Sequence, residues 1–191
     1  MRIQALSPQV ANQIAAGEVI ERPASVVKEL LENALDAGAD HITIDIGFGG
    51  LNLIRIADNG HGIEAEDLTL AIAAHATSKI TQLEDLYAIS SMGFRGEALA
   101  SIAAVSRITI CSKPAAQTHG MLLKANENGI QIHPYARTQG TTIEVCDLFY
   151  NTPVRKMFLK SERMEYQAIE LMVKQFALSA PHITLTLHHT H

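Results

Sequence analysis

The chain has 191 residues, of which 47% are hydrophobic and 18% charged, a composition that indicates one folded domain and excludes a disordered chain. Its net charge of −5 excludes electrostatic binding of DNA along the whole chain, so any DNA contact is expected to be local or shared. No uncharged apolar run is long enough to span a bilayer and Met1–Gln4 begins no signal peptide, which predicts a cytoplasmic protein.

Helical patterns occur along the whole chain. Ser7-Pro8 is typical of an N-cap followed by proline at the first helical position, and Gly17 suits a C-cap. The clearest helix runs from Pro23 to Ala37, and Gly38 ends it. Its apolar residues recur at helical spacing: Val26, Val27, Leu30, Leu31, Ala34 and Leu35. Further helices are predicted at 64–75, at 98–103, from Pro153 onward and at 162–178.

Strands are predicted where apolar residues alternate or cluster. Residues 42–46 and 53–56, joined by a turn at Gly49-Gly50, indicate a hairpin. The other predicted strands are 108–111, 121–124, 130–135, 141–145 and 183–187. Because helices and strands come in mixed order, with hairpins instead of strict alternation, we predict an α+β fold, a sheet with helices on one face.

Polar residues form a stripe on the helix from Pro23 to Ala37. Glu29, Asn33 and Asp36 are spaced i, i+4 and i+7, with Glu32 beside them. Such a stripe is most often a solvated face. Asn33, however, is an indifferent helix former, and its amide oxygen suits Mg²⁺. Glu29, one turn away, could then orient or deprotonate a water molecule.

A glycine-containing segment, Asp58-Asn59-Gly60-His61-Gly62, follows a predicted strand. The simplest interpretation is a tight turn. A ligand pocket is the alternative, because a carboxylate at the end of a strand can accept a hydrogen bond from an exocyclic amine. Glycines would let a flat base approach the backbone.

Residues 76–96 have few capped or periodic stretches and are predicted to form a long loop. The segment Gly93-Phe94-Arg95-Gly96-Glu97 precedes a short helix, so its N–H groups could hold phosphate oxygens. Thr77, Ser78 and Lys79 add two hydroxyls and a cation, although an exposed lysine is usually only a solubilising charge. Gly140-Thr141-Thr142 by itself suggests an ordinary strand.

Taken in order, four of these segments resemble the motifs of the GHKL ATPases, which include gyrase, a heat-shock chaperone, histidine kinases and MutL. The segments are Glu29 with Asn33, Asp58–Gly62, Gly93–Leu99 and Gly140–Thr142. Four separated motifs in the correct order occur by chance far less often than one. Three further stretches are similar to the MutL-type mismatch-repair branch: Ile14–Pro23, His75–Lys79 and Asp147–Pro153.

The resemblance implies a site for ATP and Mg²⁺ in a two-layer α/β sandwich with a mixed, mostly antiparallel sheet. It assigns Glu29 as general base, Asn33 as Mg²⁺ ligand, Asp58 as adenine reader and Thr142 as a further adenine-side contact. The remaining implied nucleotide contacts are Ala37, Gly60, Gly62, Ile63, Thr77, Ser78, Lys79, Gly93, Phe94, Arg95, Gly96, Glu97, Ala98 and Leu99. Residues 76–99 would form a lid that becomes ordered over ATP.

The resemblance also implies an amino-terminal segment (1–22) that can act as a dimer arm and a nucleotide-binding domain (23–191). A following domain that supplies a catalytic lysine and a carboxy-terminal dimerisation region would lie beyond His191, so slow turnover is expected. Implied partners of the full-length protein are DNA, the mismatch-recognition protein MutS, downstream repair enzymes and a second copy of the chain. A binding module with negligible hydrolysis and a histidine-kinase domain are the alternatives.

Other metal chemistry is not expected. Cys111 and Cys146 lie far apart without C-x-x-C spacing, which argues against a zinc site or a disulfide framework. Both are expected to be buried apolar residues. Leu187–His191 contains three histidines, but such short tracts specify metals loosely, and we predict a frayed terminal strand instead.

Overall fold

The computed structural model describes Ala5 and residues 7–73 and 98–190. The α-helices within these residues are α1 (Pro8–Val19), α2 (Pro23–Asp36), α3 (Leu68–Ala71), α4 (Ala98–Ala104), α5 (Pro153–Met157) and α6 (Glu162–Ser179). The strands are β1 (His41–Gly47), β2 (Leu53–Asp58), β3 (Arg107–Lys113), β4 (Gly120–Asn126), β5 (Gly129–Tyr135), β6 (Gly140–Cys146) and β7 (Thr184–Thr190). They form one seven-stranded sheet in the order β5-β4-β3-β6-β2-β1-β7.

The sheet is mixed but mostly antiparallel, as predicted. Only the pairing of β1 with β7 is parallel, and the other described pairs are antiparallel. A parallel pair needs a long crossover, and here the chain between β6 and β7 supplies it with α5 and α6. The predicted α+β sandwich is therefore confirmed.

One face of the sheet, the inner face, carries the apolar core. Directly paired residues of neighbouring strands form a continuous aliphatic row: Leu187, Ile44, Ile56, Ile143, Ile110 and Leu123. Helix α2 packs against β2 and α6, and its apolar stripe is buried: Val26, Val27, Leu30, Leu31 and Ala34. The alternation of side chains along each strand thus separates a core face from an outer face.

The outer face carries a charged row in the same register. Asp45 accepts from Arg55 at 3.0 Å and lies 2.9 Å from the His188 ring nitrogen Nδ1, while Arg55 pairs with Glu144 at 3.2 Å. These contacts link β7, β1, β2 and β6 side by side. The last strand is therefore paired with β1 over its whole length, and the prediction of a frayed strand was wrong.

Other predictions differ from the structure in detail. Ser7 caps α1 by accepting from the Val10 amide at 3.3 Å, but this helix continues to Val19, past Gly17. The helix predicted at 64–75 is a 3₁₀ turn followed by the single turn α3, and residues 74–97 lie outside the described part of the chain. Cys111 is buried, whereas Cys146 is half-buried. No helix among the described residues is long and apolar enough to cross a membrane.

Candidate functional site

The inner face of the sheet changes from apolar to polar at one end. Asp58 on β2 pairs with Thr141 on β6, which in turn pairs with Ser112 on β3. Each of the three lies two residues from a member of the isoleucine row, namely Ile56, Ile143 and Ile110, so their side chains share the inner face. Three polar side chains thus form a cross-strand row at the edge of the core, which we call the polar row.

Asp58 is the ionisable member of the polar row. Its Oδ1 accepts a hydrogen bond of 2.8 Å from the Gly60 amide. Burial is the largest influence and raises the pKa of this carboxyl above its usual value, while the amides of Gly60 and Thr141 and the nearby charge of Arg137 oppose that shift. Burial makes the ionised carboxylate costly without a ligand, so a ligand that donates a hydrogen bond to it would be favoured.

The turn after Asp58 lies against the end of α2. The amide of His61 donates to the carbonyl of Ala37 at 2.8 Å. A Cβ at Gly60 would lie 2.7 Å from that carbonyl oxygen and 2.8 Å from the Ala37 Cβ, so only glycine fits at this contact. The close approach joins the predicted adenine-reading turn to the predicted metal-binding helix.

Asn59 holds the same turn from its other side. Its Oδ1 accepts from the amides of Asp40 and His41, each at 3.0 Å, and its Nδ2 donates to the Asp40 carboxylate at 2.7 Å. Hydrogen bonds from the His41 side chain, and secondly from the Asn59 side chain, hold the pKa of Asp40 below its usual value. These bonds tie the start of β1 to the turn that follows β2, next to Asp58.

The polar stripe on α2 leads towards this turn. Glu29 and Asn33 are half-buried, whereas Asp36 is exposed at the end of the helix. Asn33 lies one helical turn before Ala37, the residue in contact with Gly60, and its carbonyl accepts from the Ala37 amide at 3.0 Å. The structure therefore places the Asn33 end of the stripe close to the turn that follows Asp58.

Ser112 was not predicted from the sequence. Its side chain is fully buried, and its hydroxyl accepts from the Ile63 amide at 2.8 Å. The same hydroxyl lies 2.8 Å from the Thr141 hydroxyl and 3.2 Å from the Gly140 carbonyl. It thereby links the turn after Asp58 to β6. No local pattern marks a serine near the end of an apolar strand, so only the strand pairing reveals this role.

Thr142 does not lie in the polar row. It follows Thr141 on the strand and faces the outer side, where its hydroxyl accepts from Arg137 at 3.2 Å. There it lines a cavity of about 380 Å³ together with Arg55, Thr109 and Glu144. Alternation along the strand places the Thr142 side chain on the opposite face of the sheet from Asp58, and its predicted adenine-side contact stays a prediction. Thr141 is the threonine beside the aspartate.

The remaining predicted contacts divide into two groups. Ala98 and Leu99 are half-buried at the start of α4, a helix that packs against β3 and α1. The others lie outside the described residues: Thr77, Ser78, Lys79, Gly93, Phe94, Arg95, Gly96 and Glu97.

A mixed sheet covered by helices, with an aspartate at the end of a strand and a glycine turn against a polar helix stripe, defines an α+β domain with a polar site at one end of its sheet. Residues 20–147 match the family model for histidine kinase-, DNA gyrase B- and HSP90-like ATPases. The chain therefore belongs to this family of ATPases.

Within this family, the chain is similar to MutL proteins. The chain is 57% identical to the DNA mismatch repair protein MutL of Pectobacterium atrosepticum, over 99% of this chain and 29% of that protein. It is 58% identical to MutL of Edwardsiella ictaluri, over 99% of this chain and 30% of that protein. The chain therefore spans less than a third of the length of these relatives.

A solved structure supports the same comparison. The ATPase domain of Aquifex aeolicus MutL complexed with ADP superimposes with a TM-score of 0.72 at 34% identity. The match covers 90% of this chain and 61% of that one. The predicted ATPase fold is confirmed.

Proposed function

We propose that this domain is the ATP-driven switch of a MutL-type DNA mismatch-repair protein. The observation that supports it best is the polar row of Asp58, Thr141 and Ser112 beside the end of α2, in a chain that belongs to an ATPase family. ATP binding brings two copies together, and hydrolysis times contacts with MutS, DNA and downstream repair enzymes in the cytoplasm. The division into an arm (1–22) and a nucleotide domain (23–191) stays a prediction.

The adenine end of the site centres on Asp58. Its carboxylate accepts from the exocyclic amine of adenine, and Thr141 takes the neighbouring position first assigned to Thr142. A hydrogen bond to a charged group is stronger than one between neutral groups, so this contact should contribute substantially to ATP affinity. Gly60 and Gly62 bring the backbone close to the base, since neither has a side chain.

The phosphate end centres on α2. Asn33 holds Mg²⁺ through its amide oxygen, and Glu29 orients or deprotonates the attacking water. When bound, Mg²⁺ neutralises charge on the phosphate oxygens. By their resemblance to the family's phosphate-binding motif, residues 93–96 hold the phosphates together with Lys79.

Substitutions on α2 test the two roles in the full-length protein. Glu29→Ala should slow single-turnover hydrolysis about a hundredfold or more, the usual loss for a general base, and leave ATP affinity nearly unchanged. Asn33→Ala should weaken Mg²⁺-dependent ATP binding as well. Glu32→Ala is the matched control, because Glu32 lies on the same helix beside the stripe and is within 4.0 Å of Lys28.

The outcomes separate the alternatives. Hydrolysis at the parent rate by Glu29→Ala would remove that residue as the base. Tight ATP binding without phosphate release by the parent protein would identify a nucleotide-gated binding module instead. Failure of the parent protein to bind ATP would overturn the proposed function.

A further inference from the structure

We propose that Ser112 is a specificity-determining positioning residue, whose hydroxyl donates to Thr141 and so directs the Thr141 proton towards an acceptor on the nucleotide base. The inference rests on the proposed function, because it requires the base to lie against Asp58 and Thr141. Ser112 itself touches no ligand in this arrangement. It acts through Thr141 by deciding which way that hydroxyl donates.

The surroundings of the Ser112 hydroxyl limit what it can do. It is 0% exposed, so no bulk water competes for it. One lone pair accepts the Ile63 amide proton at 2.8 Å. Its single proton then has two acceptors in reach, the Thr141 hydroxyl at 2.8 Å and the Gly140 carbonyl at 3.2 Å.

Distance alone leaves the direction between the two hydroxyls open, but a Thr141 that donates to a base must accept from Ser112, and the competing Gly140 carbonyl is the longer contact of the Ser112 proton. Hydroxyl-to-oxygen hydrogen bonds are most common near 2.7–2.8 Å and weaken with distance. The amide of Ile63 also polarises the Ser112 hydroxyl, which strengthens its next donation in a chain of bonds. The chain then runs from Ile63 N–H through Ser112 to Thr141. Once Thr141 accepts from Ser112, its own proton is left to donate outward.

The resulting pair of groups matches the edge of adenine. Asp58 and Thr141 are directly paired on adjacent strands, so their side chains are neighbours on one face. The carboxylate presents an acceptor and the threonine a donor, either directly or through one bound water. Adenine offers the complement, an amine beside the ring acceptor N1. Guanine offers a carbonyl oxygen beside an N–H, which places an acceptor against the carboxylate.

A purely structural role for Ser112 makes a different prediction. A serine that only fastened the Ile63 turn to β6 would affect every nucleotide equally when removed. A serine that orients Thr141 affects only bases that carry the N1 acceptor. The distinguishing measurement is therefore the ratio of affinities for ATP and 1-deaza-ATP, in which N1 is replaced by C–H.

We would measure the binding of both nucleotides to the full-length protein by calorimetry. The parent protein should prefer ATP by about three- to tenfold, the range for one neutral hydrogen bond. Ser112→Ala should bring the ratio close to one by weakening ATP alone. Ser106→Ala is the matched control, because Ser106 is also buried and its hydroxyl donates to the Ile102 carbonyl at 2.6 Å, within the fold. It should keep the parent ratio.

Two variants of Thr141 test the same hydrogen bond in case Ser112→Ala does not fold. Thr141→Val should lose the preference for ATP, and Thr141→Ser should retain it. An equal loss of affinity for both nucleotides in Ser112→Ala would overturn the inference. So would equal binding of ATP and 1-deaza-ATP by the parent protein, a result that leaves the proposed ATP-binding function standing. No ATP binding by the parent protein would instead remove the proposed function.

Discussion

Glu165 on α6 and Arg22, the residue before α2, form an ion pair with 2.9 Å between Oε2 and Nη2. The carboxylate side of the pair is 1% exposed and the guanidinium side 38%. Glu165 also accepts from the Lys160 amide at 2.8 Å through its other oxygen. One buried side chain thus ties the start of the site helix to the crossover between β6 and β7.

Arg22→Ala should destabilise the domain by about 3 kcal/mol, because it leaves a buried carboxylate without its counter-charge. Glu165→Ala should cost less, since the released arginine can reach water. Chemical denaturation of both variants measures which of the two loses more stability. Glu170→Ala on the same helix removes an exposed pair with Lys174 and should change stability by less than about 1 kcal/mol. A loss for Arg22→Ala no larger than this control would contradict the prediction.

Asp58 should make the nucleotide-free domain less stable as pH rises. Burial raises its folded-state pKa above the usual 3.8, so the folded state binds the proton more tightly than the unfolded state does. The stability that Asp58 contributes is therefore fully present below pH 3.8, and it is lost as the pH rises through the raised folded-state pKa. At neutral pH, Asp58→Asn should raise the thermal midpoint of the nucleotide-free domain.

The same substitution should weaken ATP binding about tenfold or more, the cost of losing a hydrogen bond to a charged acceptor. Asp67→Asn, at an exposed carboxylate, is the control and should alter neither quantity. Thermal scans from pH 3.5 to 8 with calorimetric titrations supply both measurements. If the thermal midpoint of Asp58→Asn equals that of the parent protein at every pH, then Asp58 does not cause the predicted pH dependence of stability.

Gly60→Ala should separate the turn after Asp58 from α2. The added Cβ would meet the Ala37 carbonyl oxygen at 2.7 Å, a backbone atom that cannot move without shifting the helix end. We expect lower stability and a large loss of ATP affinity. Gly38→Ala is the control, because that glycine has φ +73° but nothing within 4 Å of the added carbon. It should cost about 1–2 kcal/mol of stability and leave affinity unchanged. Equal affinities for the two variants would count against the contact.

Asp45→Ala should loosen the edge strand β7. Asp45 joins His188 on that strand to Arg55 on β2, so its loss removes two cross-strand contacts at once. The expected cost is about 0.5–1 kcal/mol, with faster amide exchange concentrated in β7 and a smaller effect at high salt. Thr43→Ala, two residues earlier on the same face, is the uncharged control. Exchange that rises equally in both variants would show that charge is not the cause.

Much of the architecture follows from local patterns. The helical spacing from Pro23 to Ala37 predicted α2, observed as Pro23–Asp36, and alternating isoleucines predicted β1 and β2. These elements are amphipathic over their whole length, so each has one stable way to bury its apolar face. The order of four short motifs likewise indicated the family, because each motif lies within one short stretch of the chain.

What the sequence could not decide depends on strand pairing. Thr141 and Thr142 are adjacent and chemically identical, and only the pairing of β6 with β2 and β3 places the first beside Asp58 and the second on the outer face. Ser112 meets Ile63 across 49 residues of sequence. Periodicity reports which face of an element is apolar, but contacts between polar groups on different elements are set by register and packing in three dimensions. The sequence alone therefore determined most of the helices and strands and the family, and the tertiary structure decided which hydroxyls lie next to the aspartate.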